Sequence, residues 1–241
     1  LMVSTASRVG TGNIIGVSTA ICLGGFGAIF WMWITAILGG ASAFIESTLA
    51  QIYKHKDSDG TYYGGPSYYM QNALKQRWLG IIFAVILILT YVVGYNMLAS
   101  FNTQDTFKTF SFYDPSKTPI IIGAILAVLF ALCVLGGGKR LTNITGILVP
   151  VMGLIYIVVS LIVVIMNITN LPLVLKNIFV AAFDFKAIFG GFAGSCMMWG
   201  IKRGLYSNEA GMGSAPNAAA SADVSHPVKQ GLVQMLSVFI D

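Results

Sequence analysis

Charge is scarce in this chain. Its 241 residues include nine acidic and fourteen basic side chains, 10% charged in all, where a soluble domain carries about 25%. So few cannot form a polar shell around a globule of this size. A soluble enzyme, a nucleic-acid-binding module and a disordered segment are therefore excluded together. Cysteine is equally sparse: Cys22, Cys133 and Cys196 are odd in number, far apart and each inside an apolar run, which leaves neither a disulfide framework nor a metal-ligand spacing. Histidine is limited to His55 and His226, both beside loops, and no H-E-x-x-H motif occurs, so an enzyme acting within the membrane has no visible catalytic centre.

What the chain does have is long apolar runs. They cover about 1–23, 26–53, 78–104, 118–136, 141–168 and 187–222, with a truncated one from about 230 to 241. Most are long enough to cross roughly 30 Å of hydrocarbon as helices. Ile120 to Val134 does not alternate apolar with polar, as the strands of a membrane β-barrel do. The expected fold class is an all-α integral membrane protein, a single transmembrane transporter domain over 1–241. Neither end reads as a natural terminus, and the opening run lacks the basic n-region of a signal peptide. A fragment truncated at both ends is expected.

Basic residues set the expected orientation. Lys54, Lys56, Lys75 and Arg77 follow the second run, Lys139 and Arg140 the fourth and Lys229 the sixth, against Lys108, Lys117, Lys176 and Lys186 in the alternate loops. The first group marks the cytoplasmic side, and the net charge of +5 is read as topology. Pro66 to Trp78 and Leu171 to Phe185 are expected to form short helices outside the spans, the first lying in the cytoplasmic interface.

The chemistry is carried by two interruptions. Arg8-Val-Gly-Thr-Gly-Asn13-Ile-Ile-Gly16 puts glycine, threonine and asparagine at a depth where a spanning helix should be most apolar. Either these glycines permit close helix packing, or the helix is discontinuous and exposes N–H groups at one half-helix end and carbonyls at the other. The sixth run carries a second interruption, from Trp199 through Arg203, Asn208 and Glu209 to Pro216. Each ionised group in such a span needs a partner or water. Arg203 with Glu209, or Arg8 with Glu46, would supply one as structural or gating ion pairs. The spacing Arg-x4-Asn-x2-Gly occurs at 8–16 and again at 203–211. Broken helices in first and sixth place are what an inverted repeat of five helices requires, with a binding site between them at mid-membrane. Neither Gly10-Thr-Gly12 nor Gly136-Gly-Gly-Lys139 completes a nucleotide-binding motif.

Several stretches together carry a family resemblance: Val9 to Ile21, Gly24 to Trp33, Gly64 to Tyr69, Arg203-Gly-Leu-Tyr-Ser-Asn-Glu-Ala-Gly-Met-Gly-Ser-Ala-Pro216 and His226 to Gln234. In order and over nearly the whole chain, they resemble the alanine or glycine:cation symporter family, the sodium:alanine symporters. The resemblance covers about the first half of a member. It implies a leucine-transporter-like five-plus-five inverted repeat, here the first repeat plus the start of the second, with helices one and six broken. It also implies sodium-coupled symport of small neutral amino acids, alanine or glycine, across a prokaryotic plasma membrane, with no cofactor.

By the same resemblance Thr11, Gly12 and Asn13 face substrate and cation, Gly16 lies beside the substrate side chain, and Tyr206, Ser207 and Asn208 form the facing wall. Tyr206 stands where the family usually has Phe. The substrate carboxylate is expected at the N–H groups around Gly12 and Asn13 and its ammonium at carbonyls of the sixth-helix break. Sodium, a hard cation suited to oxygen ligands, is expected near Gly10, Asn13 and Ser207. Three other readings stay open: a channel or a non-transporting sensor on the same scaffold, and proton coupling in place of sodium through Glu46 and Glu209.

Overall fold

The computed structural model describes residues 5, 8, 10, 12–184 and 195–241. The described fold is helical apart from one two-stranded hairpin. After a π-helical turn at Gly12–Gly16, the helices are α1 (Val17–Gly24), α2 (Gly27–Ile52), α3 (Pro66–Ala73), α4 (Arg77–Leu89), α5 (Asn96–Asp105), α6 (Thr118–Val134), α7 (Gly137–Met166), α8 (Leu171–Ala182), α9 (Cys196–Asn208), α10 (Ser214–Ala220) and α11 (Pro227–Ile240). Strands β1 (His55–Lys56) and β2 (Tyr62–Tyr63) pair antiparallel, His55 opposite Tyr63. Helices over Gly27–Ile52, Arg77–Thr109 and Arg140–Met166 are each long and apolar enough to cross a membrane. Large apolar side chains on them, such as Ile37, Val85 and Ile155, are exposed, which suits contact with lipid rather than water.

Helix α2 is the hub. Its buried positions include Ala28, Thr35, Gly39, Ala43, Ser47 and Ala50, a stripe of small residues at helical spacing. In lipid there is no hydrophobic drive between helices, so close approach of backbones and interhelical hydrogen bonds hold them together. The approach is very close here. A Cβ on Gly200 of α9 would lie 2.5 Å from the Ala28 carbonyl oxygen, and one on Gly27 2.6 Å from the Ala181 backbone at the end of α8. Helix α11 packs on the opposite end, where a Cβ on Gly231 would meet Thr48 and Phe44.

Polar side chains close the gaps that size alone leaves. Trp31 Nε1 donates to the Ala182 carbonyl at 3.2 Å. Gln51 Nε2 donates to the carbonyls of Ala219 and Ala222, and Lys54 Nζ to Ala222 at 2.9 Å. These bonds fix the end of α10, whose last carbonyls have no partner within the helix, to the end of α2. The Pro66–Trp78 stretch forms α3 and the first two residues of α4, and Leu171–Phe185 forms α8 up to Ala182, with Phe185 outside the described residues.

Candidate functional site

Two helices fail to run through, and both failures face one cavity. Thr5 and Arg8 are helical, Gly10 lies in a bend, and Gly12–Gly16 forms a π-turn before α1 begins. On the other side α9 ends at Asn208. Glu209 then takes a left-handed conformation at φ 49°, Gly211 and Gly213 are at +83° and +85°, and α10 starts at Ser214. Glycine reaches that region at no steric cost, whereas Glu209 holds it under strain. Span three is also irregular: a π-helical segment at Thr90–Tyr95 separates α4 from α5.

The cavity between these elements measures about 1320 Å³ and is lined by Gly10, Gly12, Asn13, Tyr206, Ser207 and Asp241, among others. One wall is a stack of three tyrosine rings. Tyr91 and Tyr95 lie 4.7 Å apart and nearly parallel, and Tyr95 and Tyr206 5.8 Å apart at 6°. Tyr206 closes against span one, where a Cβ on Gly12 would stand 2.9 Å from its ring. Glycine at position 12 thus makes room for the ring as well as for the backbone break.

The polar centre is a carboxylate. Asn13 Nδ2 donates to Asp241 Oδ1, Ser207 Oγ donates to Oδ2 at 2.8 Å, and the Gly10 amide reaches Asn13 Oδ1 at 3.5 Å. Gly10, Asn13 and Ser207, grouped from the sequence as cation ligands, are therefore brought together, with Asp241 between them. In the sequence Asp241 stands at the end of the last apolar run. A lone acidic residue after Leu236-Ser-Val-Phe-Ile240 was the signal that could have singled it out. The Ser207 hydroxyl and the Asp241 carboxylate are hard oxygen donors in contact, while the Asn13 amide turns its nitrogen to the carboxylate and its oxygen to the Gly10 N–H.

Arg8 is buried and ties three elements together. Its Nε donates to the Asn208 carbonyl at 2.8 Å, and its Nη1 reaches the Gln234 carbonyl, Gln234 Oε1 and Ser237 Oγ. A cation on the last carbonyl of α9 also meets the negative end of that helix's dipole. The expected pairing of Arg8 with Glu46 does not form among the described residues: Glu46 Oε1 instead accepts the Gly211 N–H at 3.2 Å. Nor does Arg203 meet Glu209. The Arg203 guanidinium lies against Gly16 and 5.8 Å from the Tyr206 ring, while Glu209 accepts from Ser214 Oγ at 2.7 Å and Tyr91 OH at 3.3 Å. Facing Arg203, Gly16 is outside the cavity lining. Asn208 lines the cavity but turns Oδ1 back to the Ala210 N–H, while its amide nitrogen packs where a Cβ on Gly39 would stand. Thr11 lies outside the described residues.

A multi-pass helical membrane protein with a largely apolar cavity that gathers a few polar groups at two helix interruptions has the architecture of a membrane transporter. The model of the sodium:alanine symporter family matches residues 1–241, and the chain belongs to that family. Among its relatives, GlnT of Bacillus subtilis, named provisionally as a sodium/glutamine symporter, is 49% identical over 99% of this chain and 49% of its own length. YrbD of the same organism, named provisionally as a sodium/proton-dependent alanine carrier protein, is 47% identical over 100% of this chain and 49% of its own. The sodium/alanine symporter AgcS of Methanococcus maripaludis is 42% identical over 100% and 53%. The chain spans about half the length of these curated relatives.

Proposed function

We propose that this chain supplies the first repeat and the start of the second of a leucine-transporter-like five-plus-five symporter, which couples inward sodium movement to uptake of a small neutral amino acid at the plasma membrane. The observation that carries the proposal is the meeting of Asn13, Ser207 and Asp241 beside the cavity, at the breaks of helices one and six. Sodium sits at the Asp241 carboxylate and Ser207 Oγ, with the Asn13 amide and the Gly10 backbone alongside. The amino acid occupies the adjoining cavity, its carboxylate toward the glycine-lined break at Gly12 and its body against Tyr206. Its ammonium faces carbonyls of the sixth-helix break other than that of Asn208, which Arg8 already holds.

Coupling requires that sodium bind the closed, substrate-competent arrangement more tightly than the open one, since a ligand that binds both equally shifts neither. A carboxylate contributed by α11 and bridged to helices one and six satisfies that condition, because its ligands separate when those elements move apart. Relatives named for alanine and for glutamine at similar identity make substrate size the finer question. Tyr206, closing on Gly12, bounds the cavity on that side and favours alanine or glycine.

Labelled alanine uptake by the full-length protein in proteoliposomes tests this, with an inward sodium gradient and with potassium in its place. Sodium-dependent accumulation is expected, reduced at least about tenfold, or ~1.4 kcal/mol, by Asn13→Ala or Asp241→Asn. Competition by unlabelled glycine stronger than by glutamine is the expected order. Alanine binding without accumulation would move the function to sensing, and uptake indifferent to sodium would remove the cation assignment.

A further inference from the structure

Three carboxyl groups surround the helix-six break, Glu46 and Glu209 buried and Asp241 half-buried, and they are not equally compensated. Asp241 is met by an amide and a hydroxyl, and Glu209 by the hydroxyls of Ser214 and Tyr91. Glu46 is 8% exposed, lies within the apolar span α2 and, among the described residues, accepts a single bond, from the Gly211 N–H. An ionised carboxylate in such a place needs a cation or water to be tolerated.

Among the described residues, the elements packed around Glu46 bring no cation into an ion pair with its carboxyl oxygens. From span one, Arg8 is within electrostatic reach of Glu46, yet its Nε and Nη1 are directed to Asn208, Gln234 and Ser237, and its Nη2 makes no hydrogen bond to Glu46 or to any other described residue. From α3, the Tyr69 phenol is within electrostatic reach of Glu46 and cannot become positive. On α9, Lys202 is exposed beside Trp199 and Arg203 lies on Gly16. On α11, Lys229 is exposed and bonded to Ser225, and on α8 Lys176 is exposed. Helix α10 carries no charged residue, and Lys54, past the end of α2, is held by the Ala222 carbonyl.

We propose that Glu46 is a proton-binding site, occupied when the link between α9 and α10 is docked on α2, and that its proton couples the position of that link to pH. The partner of Glu46 is the link itself: Gly211 N–H contacts Glu46, and a Cβ on Gly211 would stand 3.3 Å from Ser42 Oγ one helical turn away. While the link is docked, Glu46 is dry and neutral. When the link lifts, water reaches the carboxyl group and it ionises. Glu46 is six residues from the end of α2, about 9 Å along the helix, on the side that the basic loops mark as cytoplasmic. Proton exchange is therefore with the cytoplasm as the inner face opens. The proton goes on and off the carboxyl oxygen, exchanged with water, and no other group is consumed.

The inference rests on the transport reading, and the two fail separately. In sodium-driven alanine uptake by the full-length protein, the wild type is expected to lose rate on an alkaline limb, by up to about tenfold per pH unit for one proton. Glu46→Gln, permanently neutral, is expected to retain uptake at acid pH and to lack that limb. Sodium-dependent uptake with the same limb in both proteins overturns the proton site and leaves the transport reading intact. A wild type without sodium-dependent uptake at any pH removes the transport reading. A proton count on adding sodium and alanine to weakly buffered detergent-solubilised protein tests Glu46 without transport: proton uptake by the wild type and none by Glu46→Gln is expected, and equal uptake by both overturns the site. Should Glu46→Gln fail to fold, Glu46→Asp keeps a titratable group on a shorter arm. The alkaline limb must then move in pH, and a limb left where the wild type has it overturns the proposal.

Discussion

Helices α2 and α7 are the two longest in the described structure, at 26 and 30 residues, and they are used in opposite ways. Helix α2 buries a stripe of glycine, alanine, serine and threonine together with Glu46 and Gln51, whereas the most apolar stretch of α7 buries nothing. The polar and small residues are inside and the large apolar ones outside, the reverse of a soluble core. Where the surrounding medium is itself apolar, hydrophobicity does not sort helices to the centre. Side-chain size and hydrogen-bonding need do so instead.

The comparison can be broken most severely at Gly200. Gly200→Leu forces α9 away from the Ala28 carbonyl and should cost at least about 3 kcal/mol, at the upper end of overpacking. Size-exclusion chromatography of the solubilised protein should show loss of the folded species. Next is Arg8→Ala, which removes the shared donor of Asn208, Gln234 and Ser237. Each hydrogen bond to a charged group is worth about 1.5–3 kcal/mol, so a clearly lowered thermal unfolding temperature is expected while insertion is retained.

Ile155→Lys tests α7 from the other side. Ile155 is exposed, and a lysine at the centre of a lipid-facing helix costs about 2.5 kcal/mol on insertion scales. An insertion assay on the α7 segment should show reduced membrane integration, whereas an unchanged result would mean that this face is wet. The smallest effect is expected at Gly146, where an added Cβ meets nothing within 4 Å. Gly146→Ala should be neutral or stabilising by about 0.5–1 kcal/mol through helix propensity, read by thermal unfolding. A loss comparable to that of Gly200→Leu would show that α7 is as closely packed as α2.

The two glycine-rich interruptions were legible, because glycine, asparagine and charge inside an apolar run have few explanations other than packing or a break. The π-helical segment at Thr90–Tyr95 was not. Its residues continue an apolar run, and a single wide turn leaves no compositional mark. The expected pairing of Arg203 with Glu209 failed for a geometric reason. Six helical positions amount to about 240° of turn, and the break at Glu209 carries that side chain to Tyr91 and Ser214. The Arg8–Glu46 pairing failed differently: two charges on separate helices can be matched on paper, but backbone carbonyls and hydroxyls compete for the guanidinium and here engage it.

Composition and run length by themselves determined that this is a helical membrane protein, and motif order pointed to its family, since both depend on local chemistry that each residue carries wherever it is placed. The grouping of Gly10, Asn13 and Ser207 was set by family motif. What only the tertiary structure decided is what stands between them and beside them: Asp241 as their common partner, Tyr206 against Gly12, and Glu46 on the Gly211 amide. Those contacts join residues as far as 228 positions apart, and they exist because small residues along α2 let three helices approach closely enough for short polar side chains to meet.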